Sequence, residues 1–92
     1  MIYIDQLRQY NKKPSGKRFA HMIASTEEEL YSFAEKCGIG KHFYHASPYP
    51  HFDVSEERYY VTILNGAIYV NTKQLIRFCQ EWYKNAKTQS RG

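Results

Sequence analysis

The chain has no apolar run approaching the roughly 18–20 residues that a bilayer-spanning helix requires. Its first cations, Arg8, Lys12 and Lys13, follow the apolar opening rather than precede it, which argues against a signal peptide. Cysteine is scarce, with only Cys37 and Cys79 and no C-x-x-C pair, so a disulfide framework does not fit. Two reduced, buried thiols in a cytoplasmic protein are the expectation. A Walker loop, a G-x-G-x-x-G turn and a serine-nucleophile motif are all missing, which removes the commonest nucleotide-hydrolase, dinucleotide and esterase signatures. Acid is missing between Gln6 and Ala20, while Arg8, Lys12, Lys13, Lys17 and Arg18 all fall there. Lys84, Lys87 and Arg91 form a second acid-free group. The net charge of +4 is therefore unevenly spread, a pattern that suits an anionic partner as well as an ordinary solvated loop and tail.

What remains is 92 residues, 42% hydrophobic, with no low-complexity tract, which is the material of one globular domain. The expected organisation is a single α/β domain over residues 1–85 and a flexible polar tail over 86–92. Residues 1–5 alternate with period two, placing Ile2 and Ile4 on one face and Tyr3 and Asp5 on the other. Pro14 and Gly16 punctuate the following loop. Residues 19–24 form a second strand, with Phe19, His21 and Ile23 opposite Ala20, Met22 and Ala24. Ser25 or Thr26, each with a glutamate three residues on, caps a helix whose stripe is Leu30, Phe33, Ala34 and Cys37 and which ends at Gly38. Residues 41–46 are a strand or an irregular lid, and 51–54 an extended piece. A helix over 56–65, capped by Ser55, would bury Tyr60, Ile63 and Leu64. A strand over 67–70 and a helix from Asn71 or Thr72 to about Tyr83, with Leu75, Phe78, Cys79 and Trp82 inside, complete the order. Such alternation predicts a small sandwich of about four largely parallel strands with three helices.

Parallel strands gather their carboxyl ends at one edge, together with helix N-termini. That geometry predicts a single pocket holding Asp5, His21, His51, Asp53 and Arg58. His51 and Asp53 share one face of an extended segment, so the carboxylate can orient the imidazole or both can hold an ion. Asp53 as a helix-capping carboxylate and His51 as a loop hydrogen-bonder are the plainer alternatives. His42-x-x-His45 has metal-ligand spacing but needs partners from elsewhere to complete a site. Arg18 and Lys17 could meet phosphate, and Tyr44 or Tyr49 could stack on a base, with His45 beside them. A helix-turn-helix over residues 55–83 is disfavoured because the intervening Ala67-Ile68-Tyr69-Val70 reads as a strand.

Tyr3-Ile4-Asp5, His21-Met22-Ile23-Ala24-Ser25, Glu28-Glu29-Leu30, Phe33-Ala34, His51-Phe52-Asp53, Arg58 and Gly66-Ala67 together resemble the 4031 family of domains of unknown function. The resemblance covers residue 3 to about residue 79. It implies a small bacterial or phage protein and brings no reaction. The resulting expectation is a cytoplasmic, phage-type protein that binds a small anionic ligand, first of all a nucleotide or nucleotide-derived signal, and sequesters it. One alternative is a metal-dependent phosphoesterase or nuclease, in which Asp5, His51 and Asp53 hold a divalent cofactor ion and His21 or His45 moves protons. The other is a nucleic-acid-binding accessory protein using the basic segments. Membrane association is not expected, and homo-oligomerisation stays open.

Overall fold

A computed structural model describes residues 1–9 and 17–91, with side chains to Tyr83. Lys12, Lys13, Pro14 and Gly16 lie outside the described residues, as do the side chains of Lys84, Lys87 and Arg91. The elements run β1 (Ile2–Ile4), β2 (Arg8–Gln9), β3 (Arg18–Ala24), α1 (Glu27–Lys36), a 3-10 turn (Lys41–Phe43), β4 (Tyr44–His45), β5 (His51–Ser55), α2 (Glu56–Leu64), β6 (Ile68–Tyr69) and α3 (Thr72–Arg91). Thr26 caps α1 by accepting from the Glu29 N–H at 3.1 Å, and Gly38 ends it at φ +75°. α3 opens with a reciprocal box. The Gln74 N–H donates to Asn71 Oδ1 at 2.8 Å, and the Asn71 N–H to Gln74 Oε1 at 3.1 Å. The helix then runs on to Arg91, past the end expected near Tyr83. Good helix formers and the lack of proline or glycine before Gly92 account for the extension.

The sheet has six strands in the order β4-β5-β3-β1-β6, with β2 beside β3. Among the described residues only β1–β6 is a parallel pair; β1–β3, β2–β3, β3–β5 and β4–β5 are antiparallel. The fold is α/β, but the expectation of about four largely parallel strands is corrected to a mixed, mostly antiparallel sheet of six. The reason is topological. β3-α1-β4 and β5-α2-β6 are both crossovers between strands of like direction, as helix–strand alternation implies. Each crossover, however, passes over at least one strand of the opposite direction: β5 lies between β3 and β4, and β3, next to β5, lies with β1 between β5 and β6. Like-directed strands are therefore joined in sequence without being neighbours in space.

The two sheet faces are covered separately. Ile2, Ile4, Ala20, Met22, Ala24, Phe52 and Val54 pack with Leu30, Ala34 and Cys37 of α1 in the larger core. On the opposite face Ile23 meets Leu75 and Cys79 of α3, and Tyr3 stacks on Phe78 with ring centroids 4.3 Å apart. Cys37 and Cys79 are buried free thiols, one under each face.

α2 is turned differently from its hydrophobic pattern. Tyr60 and Leu64 are 68% and 85% exposed, and Thr62 is the buried residue. The Thr62 hydroxyl donates to the Tyr59 carbonyl at 2.6 Å, so its polar atom is satisfied and its methyl can face the core. Tyr59 lies on the inner side and donates its hydroxyl to the Asp5 carbonyl at 3.2 Å. Among the described residues, no helix is long and apolar enough to cross a membrane.

Candidate functional site

The α3-facing side of β3 and β5 carries a polar cluster that grows from one buried carboxyl. β1 and β2 form one broken strand along β3: Ile4 pairs with Met22 but Arg8 with Phe19, so one extra residue is inserted between them. Such a bulge re-aims side chains. Asp5 sits at the break. Its N–H donates to the His21 carbonyl at 3.0 Å, continuing the ladder. The return bond, from the His21 N–H, is accepted at 2.7 Å by Asp5 Oδ1 instead of by its backbone carbonyl. Asp5 Oδ2 accepts from the Thr72 hydroxyl at 2.9 Å and lies 3.0 Å from His21 Nδ1. Asp5 is 0% exposed, and these donors are what make burial of its carboxyl tolerable.

Register brings the second half of the cluster beside the first. His21 pairs across the ladder with Asp53, and His45 with His51. All four therefore share a face, while Met22, Phe52 and Tyr44 point the other way. His51 Nδ1 lies 2.8 Å from the Tyr49 carbonyl, which can only accept, so that nitrogen carries the proton and the lone pair is on Nε2. His51 Nε2 lies 3.6 Å from Asp53 Oδ1, and His45 Nε2 lies 2.9 Å from Asp53 Oδ2. The His21 and His51 rings meet edge to face at 5.4 Å, and His45 stacks on His51 at 5.3 Å. The two inner histidines are tuned in opposite directions. The hydrogen bond to Asp5 raises His21 above the ordinary imidazole range, whereas burial pushes His51 below it.

A cavity of about 160 Å³ opens beside the cluster, between the sheet and the first turns of α3. His21, His51 and Thr72 form its polar wall; Ile23, Leu75 and Cys79 are part of its apolar one. Pro48, after a cis peptide bond, and Tyr49 close its rim. Arg8 stands close enough to His21 to oppose its protonation.

Of the residues expected to share a pocket, the structure brings together Asp5, His21, His51 and Asp53, with His45 at the outer end. Arg58 is elsewhere. It projects from α2 over Gly38, where an added Cβ would meet its guanidinium carbon at 3.6 Å, and lines a separate cavity with Lys17, Ile39 and Phe43. Arg18 pairs with Glu56, Nε to Oε1 at 3.1 Å and Nη2 to Oε2 at 2.6 Å. Tyr44 lies on the α1 side, packed on Tyr31 and Phe52 and donating to Glu27. His42 packs on Phe43 at 4.1 Å. The mechanism of assembly also differs from the expectation. Cross-strand register, not the alignment of parallel strand ends, makes the cluster. Thr72 and the Tyr49 carbonyl were visible in the sequence only as a cap and a loop.

No curated protein and no solved structure matches the chain. A family model described as "Protein of unknown function (DUF4031)" matches residues 2–82, nearly the whole of it and every member of the cluster. The chain belongs to that family.

Proposed function

We propose that this domain binds a small phosphate-bearing ligand, of nucleotide type, across the His–Asp cluster and the cavity beside it. The observation that carries the reading is the convergence of His21 and His51 on the wall of an apolar cavity where α3 begins, with His45 stacked on His51 and Arg8 near His21. Histidines and a guanidinium suit phosphate oxygens, and a helix N-terminus adds positive potential. The carboxyls do not confront the ligand bare, because Asp5 is taken up by His21 and Thr72 and Asp53 faces His45. A cavity of about 160 Å³ is smaller than the roughly 300–1,000 Å³ of ordinary ligand sites. It would take one ring or a similar fragment, the phosphate lying outward over the histidines. Without a reaction, such binding amounts to sequestration.

Calorimetric titration of nucleoside mono- and diphosphates, with inorganic phosphate as the minimal probe, tests this. Saturable binding that weakens about tenfold or more in Arg8→Ala and His45→Ala is expected. Binding indifferent to both substitutions, or no binding across the series, overturns it. The exposed His45–Asp53 pair favours one second reading, metal-dependent phosphoester hydrolysis, since an imidazole oriented by a carboxylate can move a proton. Release of nitrophenol from bis(p-nitrophenyl) phosphate in the presence of a divalent ion, lost in His45→Ala, would establish it.

A further inference from the structure

We propose that His21, His51 and Asp53 form a binding site for one transition-metal ion, with Asp5, Thr72 and the Tyr49 carbonyl holding the ligands in place. The site goes beyond the phosphate-ligand reading, because nothing in it depends on what else enters the cleft. One ligand-capable atom from each of the three residues lies within 4.8 Å of the other two. Ligands about 2.0–2.2 Å from a shared ion stand roughly 3–3.5 Å from one another. The 3.6 Å between His51 Nε2 and Asp53 Oδ1 is already close to that spacing, and the pairs with His21, within 4.8 Å, would close by side-chain rotation of up to about 1.3 Å. All three positions lie on one face of a two-strand ladder, two of them direct cross-strand partners, so the backbone scaffold is rigid.

The surroundings supply what metal-bound histidines require. A ligating imidazole donates its other ring N–H to a carboxylate or carbonyl, which fixes the tautomer and the ring plane. His21 has Nδ1 on the buried Asp5 carboxyl, itself anchored by Thr72, and His51 has Nδ1 on the Tyr49 carbonyl. In the neutral rings that a metal ion takes, both lone pairs are therefore on Nε2. Asp53 turns Oδ1 toward His51 and Oδ2 toward His45, leaving one oxygen for the ion and one for an orienting partner. This assignment exchanges two roles expected from the sequence: His21 becomes a ligand, and Asp5 becomes the group that positions it. Asp5 cannot coordinate without giving up the bonds that make its burial tolerable.

The donor set names the class of ion. Two imidazoles and one carboxylate suit Zn²⁺, Fe²⁺, Mn²⁺ or Co²⁺, whereas Mg²⁺ and Ca²⁺ prefer all-oxygen cages. Three protein ligands leave coordination positions for water or another small molecule, the arrangement of reactive rather than purely structural sites.

The test uses the full chain, stripped with chelator and titrated with Co²⁺ alone, followed by visible absorption and calorimetry, with no phosphate compound present. About one ion per chain is expected, with nitrogen-ligand absorption bands. His51→Ala and Asp53→Asn should each weaken binding at least about 100-fold, and Asp5→Asn about 10–100-fold. His42→Ala, outside the cluster, should bind like the parent. A circular-dichroism melt shows which variants fold, and Mn²⁺ broadening of the parent's backbone amide signals needs no variant at all. Broadening centred on residues 21, 51 and 53 supports the site; broadening centred elsewhere, or unchanged Co²⁺ affinity in folded His51→Ala and Asp53→Asn, overturns it. Loss of nucleotide binding with Co²⁺ binding intact would count against the phosphate reading alone.

Discussion

The two faces of the sheet solve different problems. The α1/α2 side buries Ile4, Ala20, Met22, Ala24, Leu30 and Val54 at 0% exposure, with Phe52 at 1%. The α3 side has a smaller apolar patch held by a Tyr3–Phe78–Trp82 stack, and spends the rest of its area on histidines and carboxyls. The same strands supply both. Along β5, Phe52 and Val54 go to one side and His51 and Asp53 to the other. One face carries the stability of a small domain, which frees the other to hold polar groups that a minimal core could not otherwise tolerate.

The sharpest way to break this comparison is to hollow the apolar face. Phe52→Ala removes a ring in contact with Tyr31 and Tyr44 from a fully buried position of β5. It should cost about 3–5 kcal/mol in urea denaturation, enough to threaten folding altogether. Phe33→Ala should cost less, because Phe33 is only partly buried against the same core. A loss at Phe33 as large as at Phe52 would mean that the core lies nearer the outer side of α1.

The second prediction separates structure from chemistry within the polar face. Asp5→Ala leaves the His21 N–H and the Thr72 hydroxyl without their acceptor in a fully buried place, and should cost about 2–4 kcal/mol. Asp53→Ala, at a carboxyl about one-third exposed, should cost under about 1 kcal/mol. Equal losses at the two positions would show that the cluster acts as one structural unit and not as an anchor carrying an open site.

How far these features were legible in the sequence follows from their range. Strand alternation put Ile2 and Ile4 against one face and Tyr3 against the other, and His51 and Asp53 on a common side; all of that is local geometry. The caps at Thr26 and Asn71 are likewise local, and both are present. The opposition of His21 to Asp53 is a matter of register, set only when β3 and β5 pair across the helix between them. The turn of α2 was hidden for another reason. A buried threonine bonded to the carbonyl three residues back looks polar in any hydrophobic pattern, so the pattern selects Tyr60, Ile63 and Leu64, and Arg58, expected in the pocket from its spacing beyond the Ser55 cap, projects over Gly38 instead. The parallel sheet was inferred from crossovers that exist, but sequence order does not show which strands lie between their ends.

The mildest probe leaves the protein unaltered and compares the faces through their thiols. Cys37 is the C-cap of α1, and Cys79 belongs to α3. Burial raises both thiols, and pushes Cys79 up to about 11. A thiol with a pKa near 11 is only about one part in a thousand thiolate at pH 8, so labelling there should be slow and should speed up about tenfold for each pH unit gained. The faces differ in access. Cys79 lines the cavity beside His21 and His51, while Cys37 packs within the larger core. A small alkylating agent such as iodoacetamide should therefore reach Cys79 through the cavity without unfolding, and Cys37 only through local opening of α1. Mild urea, below the unfolding transition, should accelerate Cys37 and leave Cys79 nearly unchanged. Mass spectrometry of the labelled peptides distinguishes the sites, and equal acceleration of both would mean that the cavity does not admit the reagent in the folded state.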